Sequence, residues 1–561
     1  MSQYYVKNGG NNANSGLSDL LAWETVAKVQ STLTGDQSDN SVLFKRGSTW
    51  REQYSVPAYG TSGHPFTVGA YDSGANPRFA GSVLKTSFTI EGSYWYTAAS
   101  PAPLQTFFDS SRLTKVATKG EVGTGKWYWD SGNGRIYIGD NPSGHTVEAS
   151  SFGVVIDIES RSWLVFDGLT VTQSITQGIV INGGATASAN NTWQNCVFSN
   201  NYFQGIKFWS GGPALQSNNI IQDCEVSYNG GSGIQFQNHT PDGIVRRNYV
   251  HHNCILAVDG TDHLYTAGIK VNSGEGMVIE KNQVCYNGLG LTADRDAGCG
   301  IWLDSYPDHD PFTPCTVRYN RIYGDYYCGI RVEITHDARV YGNVISGTTG
   351  WSEAAGICVF GHQDIGDGDT CEDNLIYNNT VYGCDPYGIY VLCDTTKTLL
   401  SRNIFKNNIS IGNAASNLCA KYGGDNTVNQ GTGNVYWYNC FGAEAANIIQ
   451  YGGSTYYSTY AAWEADSKVI KDGGTTHSVQ SNPLLTNPGG GDFTLQAGSA
   501  CINVGVNLGT TYKDALMHDS AWPAGVVLGD QGNFGAGWEV GAYIYEPSGN
   551  WIVGALAVGG S

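Results

Sequence analysis

The sequence predicts an all-β chain wound as a parallel β-helix, and three observations carry that prediction. A five-residue frame, Gly-Ile-x-(apolar)-x, recurs at 178–182, 205–209, 233–237, 268–272, 300–304, 329–333, 356–360 and 388–392, with successive starts 27, 28, 35, 32, 29, 27 and 32 residues apart. A repeat of that period marks a solenoid, and each frame alternates as a strand does. A second column at the same period holds Asn195, Asp223, Asn248, Asn282, Asn320, Asn343, Asn379 and Asn408. Inward amides stacked at a turn bond one another and the backbone of successive coils. Composition agrees: 75 Gly, 34 Tyr and 15 Trp, with 14 % charged residues, suit short strands joined by tight turns and argue against a helical protein.

Taken in order, residues 1–92 read as an N-terminal cap and first coils. Tyr4-Tyr-Val6 is a short strand, and Ser18 caps an expected amphipathic helix to about Leu33, with Leu20, Leu21, Trp23, Val26 and Val29 in its apolar stripe. Such a helix covers the open end of a stacked sheet. Val42-Leu-Phe44, Tyr54-Ser-Val56 and Phe66-Thr-Val68 are the first strands. Residues 93–148 break the rhythm with a hairpin-rich β insertion around the turn Asp130-Ser-Gly-Asn-Gly134, either the rim of a groove or a brace. The coils run from 149 to 440. Residues 441–561 are looser, with a short helix at Tyr460-Ala-Ala-Trp-Glu-Ala465 and further coils before a Gly/Ala-rich tail.

Thirty basic against 49 acidic residues give a net charge of −19. That balance sets nucleic acid and anionic membranes aside as partners, and no apolar run is long enough to span a bilayer. It also weighs against a polyanionic substrate unless local basic residues override it. The 14 cysteines are scattered along the coils; Cys196 with Cys224, and Cys299 with Cys328, share repeat positions. They read as small core residues, although adjacent-coil disulfides fit the same spacing. Met-Ser-Gln-Tyr-Tyr-Val lacks the basic and apolar regions of a signal peptide, so either a signal has been removed or the chain is made in the cytosol, as a phage structural protein released by lysis would be. The expected location is extracellular or on a virion, as a monomer or homotrimer.

Stacked coils place the third and fifth residues of each frame in two columns on an outer face. The third-position column is Val180, Lys207, Gln235, Lys270, Trp302, Arg331, Cys358, Tyr390; the fifth is Asn182, Trp209, Gln237, Asn272, Asp304, Glu333, Phe360, Leu392. Neighbouring strands lie about 4.8 Å apart, which brings Asp304 and Glu333 to roughly the 5 Å separation of a retaining glycosidase pair. Two carboxylates that close are expected to split their titrations, giving one proton donor and one ionised nucleophile. Asp304 is the expected nucleophile and Glu333 the general acid/base, although the pattern does not fix their order. Trp302, Trp209, Tyr390 and Phe360 are expected to present exposed rings to sugars. Lys207, Gln235, Gln237 and Asn272 would bind hydroxyls, while Lys270 and Arg331 stabilise an ionised neighbour and line the substrate site with Tyr306, His309, His336 and His362 from the adjoining loops. The alternative is a solvated ladder of opposite charges, worth roughly 0.2–1 kcal/mol a pair. No metal-ligand spacing is evident, although Asp364-Ile-Gly-Asp-Gly-Asp369 looks like a truncated calcium loop.

The run Tyr4-Tyr-Val…Ala22-Trp…Val42-Leu-Phe-Lys-Arg-Gly-Ser-Thr-Trp50…Gly63-His-Pro-Phe…Gly69-Ala-Tyr71 is similar to the opening of secreted or phage-borne right-handed parallel β-helix proteins. The repeats resemble the pectate-lyase-like superfamily, which includes polygalacturonases, β-helix xylosidases, polysaccharide lyases, alginate epimerases and phage tailspike depolymerases. Gly-Ile-Trp-Leu-Asp304, with an acid one coil on, resembles the acid pair of β-helix glycoside hydrolases. The doubled-Asp signature of polygalacturonases is absent, and Asp310-Pro311 is followed by Phe312 rather than the His of alginate epimerases. The resemblance implies a right-handed helix and a polysaccharide substrate. Three functions follow: a retaining glycoside hydrolase without cofactor; a polysaccharide lyase in which Lys270 or Arg331 abstracts a proton while Asp304 and Glu333 hold Ca2+; or a non-catalytic glycan-binding spike.

Overall fold

The computed structural model describes residues 1–547 except 185, 211–213, 239, 257–264, 292–296, 305–312, 352, 362–369, 394–399, 423–431 and 453–454. The chain is a right-handed parallel β-helix built from three long sheets. The first has 13 strands, from Gln3–Val6 to Val435–Trp437; the second has 11, from Thr49–Trp50 to Ile409–Ile411. The third also has 13, running from Tyr54–Ser55 through the repeat frames to Ile449–Tyr451 and ending on the antiparallel strand Thr455–Tyr457.

The first residue of the repeat frame is glycine for a steric reason. A Cβ on Gly205, Gly233, Gly268, Gly300 or Gly329 would lie 2.7–2.9 Å from the carbonyl oxygen of the equivalent glycine one coil on. The next residue, from Ile179 through Ile206, Ile234, Ile269, Ile301, Ile330 and Ile357 to Ile389, is buried in one continuous core. Buried in a parallel stack, this column stabilises the helix by apolar area rather than by local propensity.

The amide column is present with a shifted start. Asn248, Asn282, Asn320, Asn343, Asn379 and Asn408 are buried, and each accepts at Oδ1 from the main chain of the preceding coil, as Asn320 does from Asn282 N at 2.9 Å. In the first two coils Cys196 and Cys224 hold these positions, and Cys224 N donates to Asn248 Oδ1 at 3.0 Å. Asn195 and Asp223 stand one residue earlier, at left-handed turn positions with φ of 54°, which short polar side chains tolerate. A second ladder, Asn201–Asn229–Asn253–Asn287–Asp325, lies at the following turn. Its members follow the first column by five residues, a spacing visible in the sequence but not expected above.

At the N-terminal end, the single expected helix is two pieces. Ser18 caps a 3-10 turn, Asp19–Leu21, and Thr25 caps the α-helix Val26–Thr32, which buries Val26 and Val29 against the first coil. The break leaves Leu20 exposed rather than in the stripe. At the other end the helix Tyr460–Glu464 buries Tyr460 and Trp463 in the same core. Beyond it, the expected closing coils are not found among the described residues. Leu485–Asn487 and Asp492–Leu495 make an antiparallel pair, and the chain returns along the outside of the coils. Phe493, Trp538 and Val540 pack there on Tyr319, Tyr341 and Ile409, and Asn378 Nδ2 donates to Glu539 O at 3.2 Å.

A mixed five-stranded sheet, in which Thr114–Lys115 runs parallel to Lys126–Asp130, and an antiparallel four-stranded sheet form the insertion, with strands between Ser82–Lys85 and Val147–Ser150. Its exit strand is tied to the first coils by buried Glu148, which meets Arg51 at 2.5 Å and Arg78 at 2.9 Å. All 14 cysteines are buried and unbridged.

Candidate functional site

Three consecutive strands of the third sheet, Thr266–Asn272, Ala297–Asp304 and Cys328–Glu333, build the site. Their register aligns Lys270 with Trp302 and Arg331, and Asn272 with Asp304 and Glu333. Each strand thus presents two outward side chains, and the three pairs form successive rungs.

Asp304 is held from the rung below. Lys270 Nζ lies 2.8 Å from its Oδ2, and Asn272 Nδ2 donates to the same oxygen at 3.1 Å. Lys270 also donates to Tyr265 O at 2.9 Å. Glu333 is held by its own strand: Arg331 Nη2 donates to Oε1 at 3.0 Å, while Arg331 Nε faces Oε2 at 3.0 Å as an ion pair without hydrogen-bond alignment. Between the two cations lies the Trp302 ring. Lys270 Nζ is 3.8 Å and Arg331 Cζ 4.6 Å from its centre, distances at which the ring quadrupole attracts both. Arg331 also lies 4.7 Å from Phe360 and 5.2 Å from Tyr327. Each carboxylate therefore faces a cation, which offsets the repulsion that closeness alone would impose.

None of this is a solvated ladder. Lys270, Asp304, Arg331 and Glu333 are 3, 8, 1 and 3 % exposed. The expectation of open aromatic faces is corrected in the same way: Trp302, Phe360 and Tyr390 are buried with Tyr327, Cys328, Cys358 and Leu392 in a second apolar cluster outside the coil. Alternate residues of a parallel strand point outward, but outward here is not toward water. Tyr390 packs on Tyr387 at 4.6 Å, two strands beyond Arg331. Trp209 is exposed, but it aligns through Gln237 and Asn272 with Asp304, three strands or about 14 Å away. His336 follows Glu333 closely, its Nδ1 3.0 Å from Asp337 Oδ2. Tyr306, His309, His362 and the Asp364–Asp369 segment lie outside the described residues. Among the described residues no group of three His, Cys, Asp or Glu side chains is arranged to hold a metal.

Two features escaped the sequence. Tyr265 is 57 % exposed, with its ring 6.4 Å from Trp302 and 5.7 Å from Lys270 Nζ, so an open aromatic face does border the site. It lies three residues ahead of its repeat frame, where the two columns do not reach. Trp302 Nε1 is buried without a hydrogen-bond partner among the described residues.

A family model described as a right handed beta helix region matches residues 140–308 and 215–367. No curated protein matches the chain. Among solved structures, a complex of XylC with xylose is similar at a TM-score of 0.57 and 13 % identity, covering 79 % of this chain and 83 % of that one. A structure described as a glycoside hydrolase is similar at a TM-score of 0.50 and 9 % identity, covering 82 % of this chain and 98 % of that one. At these identities the likeness is one of fold.

Proposed function

We propose that this chain is a carbohydrate-active enzyme, a retaining glycoside hydrolase that cleaves a polysaccharide at the Asp304–Glu333 pair. One observation carries the reading: four ionisable side chains are buried together on the outer face of the sheet, with the two carboxylates as register partners. Burying ion pairs costs several kcal/mol per charge before their attraction repays it, so a structural ladder gains nothing by leaving water. A site that must hold two carboxylates at fixed spacing does. The glycoside hydrolase and the xylose-bound XylC among the structural neighbours agree with this reading.

Asp304, the more exposed of the two, attacks the anomeric carbon, and a carboxylate–sugar ester forms as the glycosidic bond breaks. Lys270 and Asn272 fix its attacking group. Glu333, paired with Arg331 in the free chain, takes up a proton when substrate displaces that pairing, gives it to the departing oxygen, and then takes one from the water that hydrolyses the ester. Tyr265 offers a stacking face and Trp302 Nε1 a donor to a hydroxyl.

The test is a panel of neutral and acidic polysaccharides, scored for new reducing ends and for ultraviolet absorbance of an unsaturated uronate. Reducing ends without absorbance are expected. Absorbance would replace hydrolysis by β-elimination, and an unchanged polymer throughout the panel would leave only a binding role.

A further inference from the structure

A pocket whose lining includes neither Asp304 nor Glu333 lies between the insertion and the coils. Its volume is about 440 Å3, within the range of roughly 300–1,000 Å3 usual for small-molecule sites. Gln105, Arg112, Lys115 and Trp127 line it from the insertion, and Ile255 and Leu256 from the coils. Leu256 precedes Lys270 by 14 residues, on the N-terminal side of the strand Thr266–Asn272, whose Lys270 pairs with Asp304.

Arg112 is the unusual group. Its Nη2 donates to Tyr228 O at 2.9 Å, but Nε and Nη1 are buried without a hydrogen-bond partner, and no carboxylate pairs with it among the described residues. Arg51, Arg78, Arg247, Arg318, Arg331 and Arg402 meet a carboxylate; Arg161 and Arg321, like Arg112, do not among the described residues, but each leaves one buried nitrogen unmet where Arg112 leaves two. Burial without a counter-charge pushes the Arg112 guanidinium down to about 10, still cationic at neutral pH. Gln105 is also half used: Nε2 donates to Ser174 O at 2.8 Å and Asn200 O at 3.2 Å, while buried Oε1 has no donor among the described residues. Lys115 is exposed at the rim, its Nζ 5.6 Å from the centre of the Trp127 ring. Buried donors of a charged group are costly to leave unmet, and an oxyanion entering the cavity would meet both free nitrogens of Arg112. A guanidinium suits such a group, and an amide oxygen beside it suits a hydroxyl.

We infer that this cavity binds the anionic group of an acidic sugar, a carboxylate or a sulfate ester, on Arg112 and Lys115, with a ring hydroxyl on Gln105 Oε1 and the sugar against Trp127, Ile255 and Leu256. The oxyanion follows from the cavity alone; in naming a sugar, the inference rests on the carbohydrate reading above. It gives the insertion a role as half of a binding site.

The test uses the full chain carrying Asp304→Asn, titrated calorimetrically with an oligogalacturonate, a sulfated oligosaccharide, a neutral xylo-oligosaccharide and inorganic sulfate. At least one acidic oligosaccharide is expected to bind, and which one does so assigns carboxylate or sulfate. Its affinity should fall about tenfold or more in Arg112→Gln, fall in Lys115→Gln and weaken with added salt, while binding of the neutral sugar is unchanged. Because Arg112→Gln risks loosening the insertion, Lys115→Gln on the exposed rim serves as the second variant, with thermal unfolding recorded for both. Acidic sugars that bind no better than neutral ones, or equally well in both variants, would overturn the site. Sulfate binding that depends on Arg112, with every sugar inert, would overturn the sugar assignment, while the acid pair stands or falls on its own panel.

Discussion

Asp304 and Glu333 are direct register partners on adjacent parallel strands, yet each is held by a different cation from a different direction. Asp304 depends on Lys270 across the ladder, whereas Glu333 depends on Arg331 two residues back on its own strand. The two halves of the site should therefore fail separately.

Removing one partner leaves an uncompensated charge in a buried place. Arg331→Gln is expected to destabilise the fold by about 3–5 kcal/mol, read from urea unfolding. Arg331→Leu combined with Glu333→Leu should cost markedly less than Arg331→Leu alone. Equal losses would show that the arginine acts by packing on Trp302 and Phe360 rather than by pairing.

The amide ladder makes a local prediction. Asn320 Nδ2 donates to Ile279 O at 2.9 Å and Asn343 Oδ1 at 3.0 Å, and its Oδ1 accepts from Asn282. Asn320→Ala should cost about 1–3 kcal/mol, because buried partners above and below lose their bonds. A loss below about 0.5 kcal/mol would mean that the ladder does not hold adjacent coils together.

Asp325 ends the second ladder and gives a pH signature. Its Oδ1 accepts from Asn287 N at 2.9 Å and Nδ2 at 2.8 Å, while Oδ2 is buried without a partner among the described residues. Burial raises this carboxyl to about 8, so it stays protonated at neutral pH. Below about pH 4 both folded and unfolded chains hold the proton, and the contribution is fully present. Between about 4 and 8 only the unfolded chain ionises, so stability falls as pH rises, by an amount on the order of a few kcal/mol, and levels off above 8. Asp325→Asn should flatten that part of the profile. A slope identical to that of the parent chain would contradict the assignment.

Burial also predicts silent thiols. Cys299 and Cys328 sit in the apolar cluster outside the coil, and burial raises both well above the ordinary thiol range. A disulfide-exchange reagent should find none of the 14 thiols within minutes under native conditions and all of them in denaturant. Fewer than 14 in denaturant would reveal a bridge between coils.

Much of this architecture is legible in the sequence because a parallel stack repeats its chemistry. The Gly-Ile frame marks the third sheet, and its columns give the register that pairs Asp304 with Glu333. What failed to show is what packs outside the coil. Alternation says that Trp302 and Tyr390 leave the core, but not whether water or further chain meets them, and they are buried. The C-terminal chain was misread for the same reason: Val540-Gly-Ala has the composition of a coil strand, and only long-range packing on Tyr319 and Ile409 decides that it runs outside. Cys224 is a third case. It fills an amide's place in the ladder by offering its backbone N–H to Asn248, which no side-chain pattern reveals.

The most direct test of the acid pair is the rate of glycan cleavage by Asp304→Asn and Glu333→Gln, on whichever polymer the panel identifies, with circular dichroism confirming that both variants keep the parent fold. Each variant conserves volume but removes a charge or a transferable proton and turns one acceptor oxygen into a donor. Both variants are expected to lose about 10³-fold or more in kcat, since positioned proton transfer alone contributes about 10²–10⁴-fold. Full activity in either folded variant would contradict the acid pair's catalytic role and return Asp304 and Glu333 to the role of buried structural ion pairs.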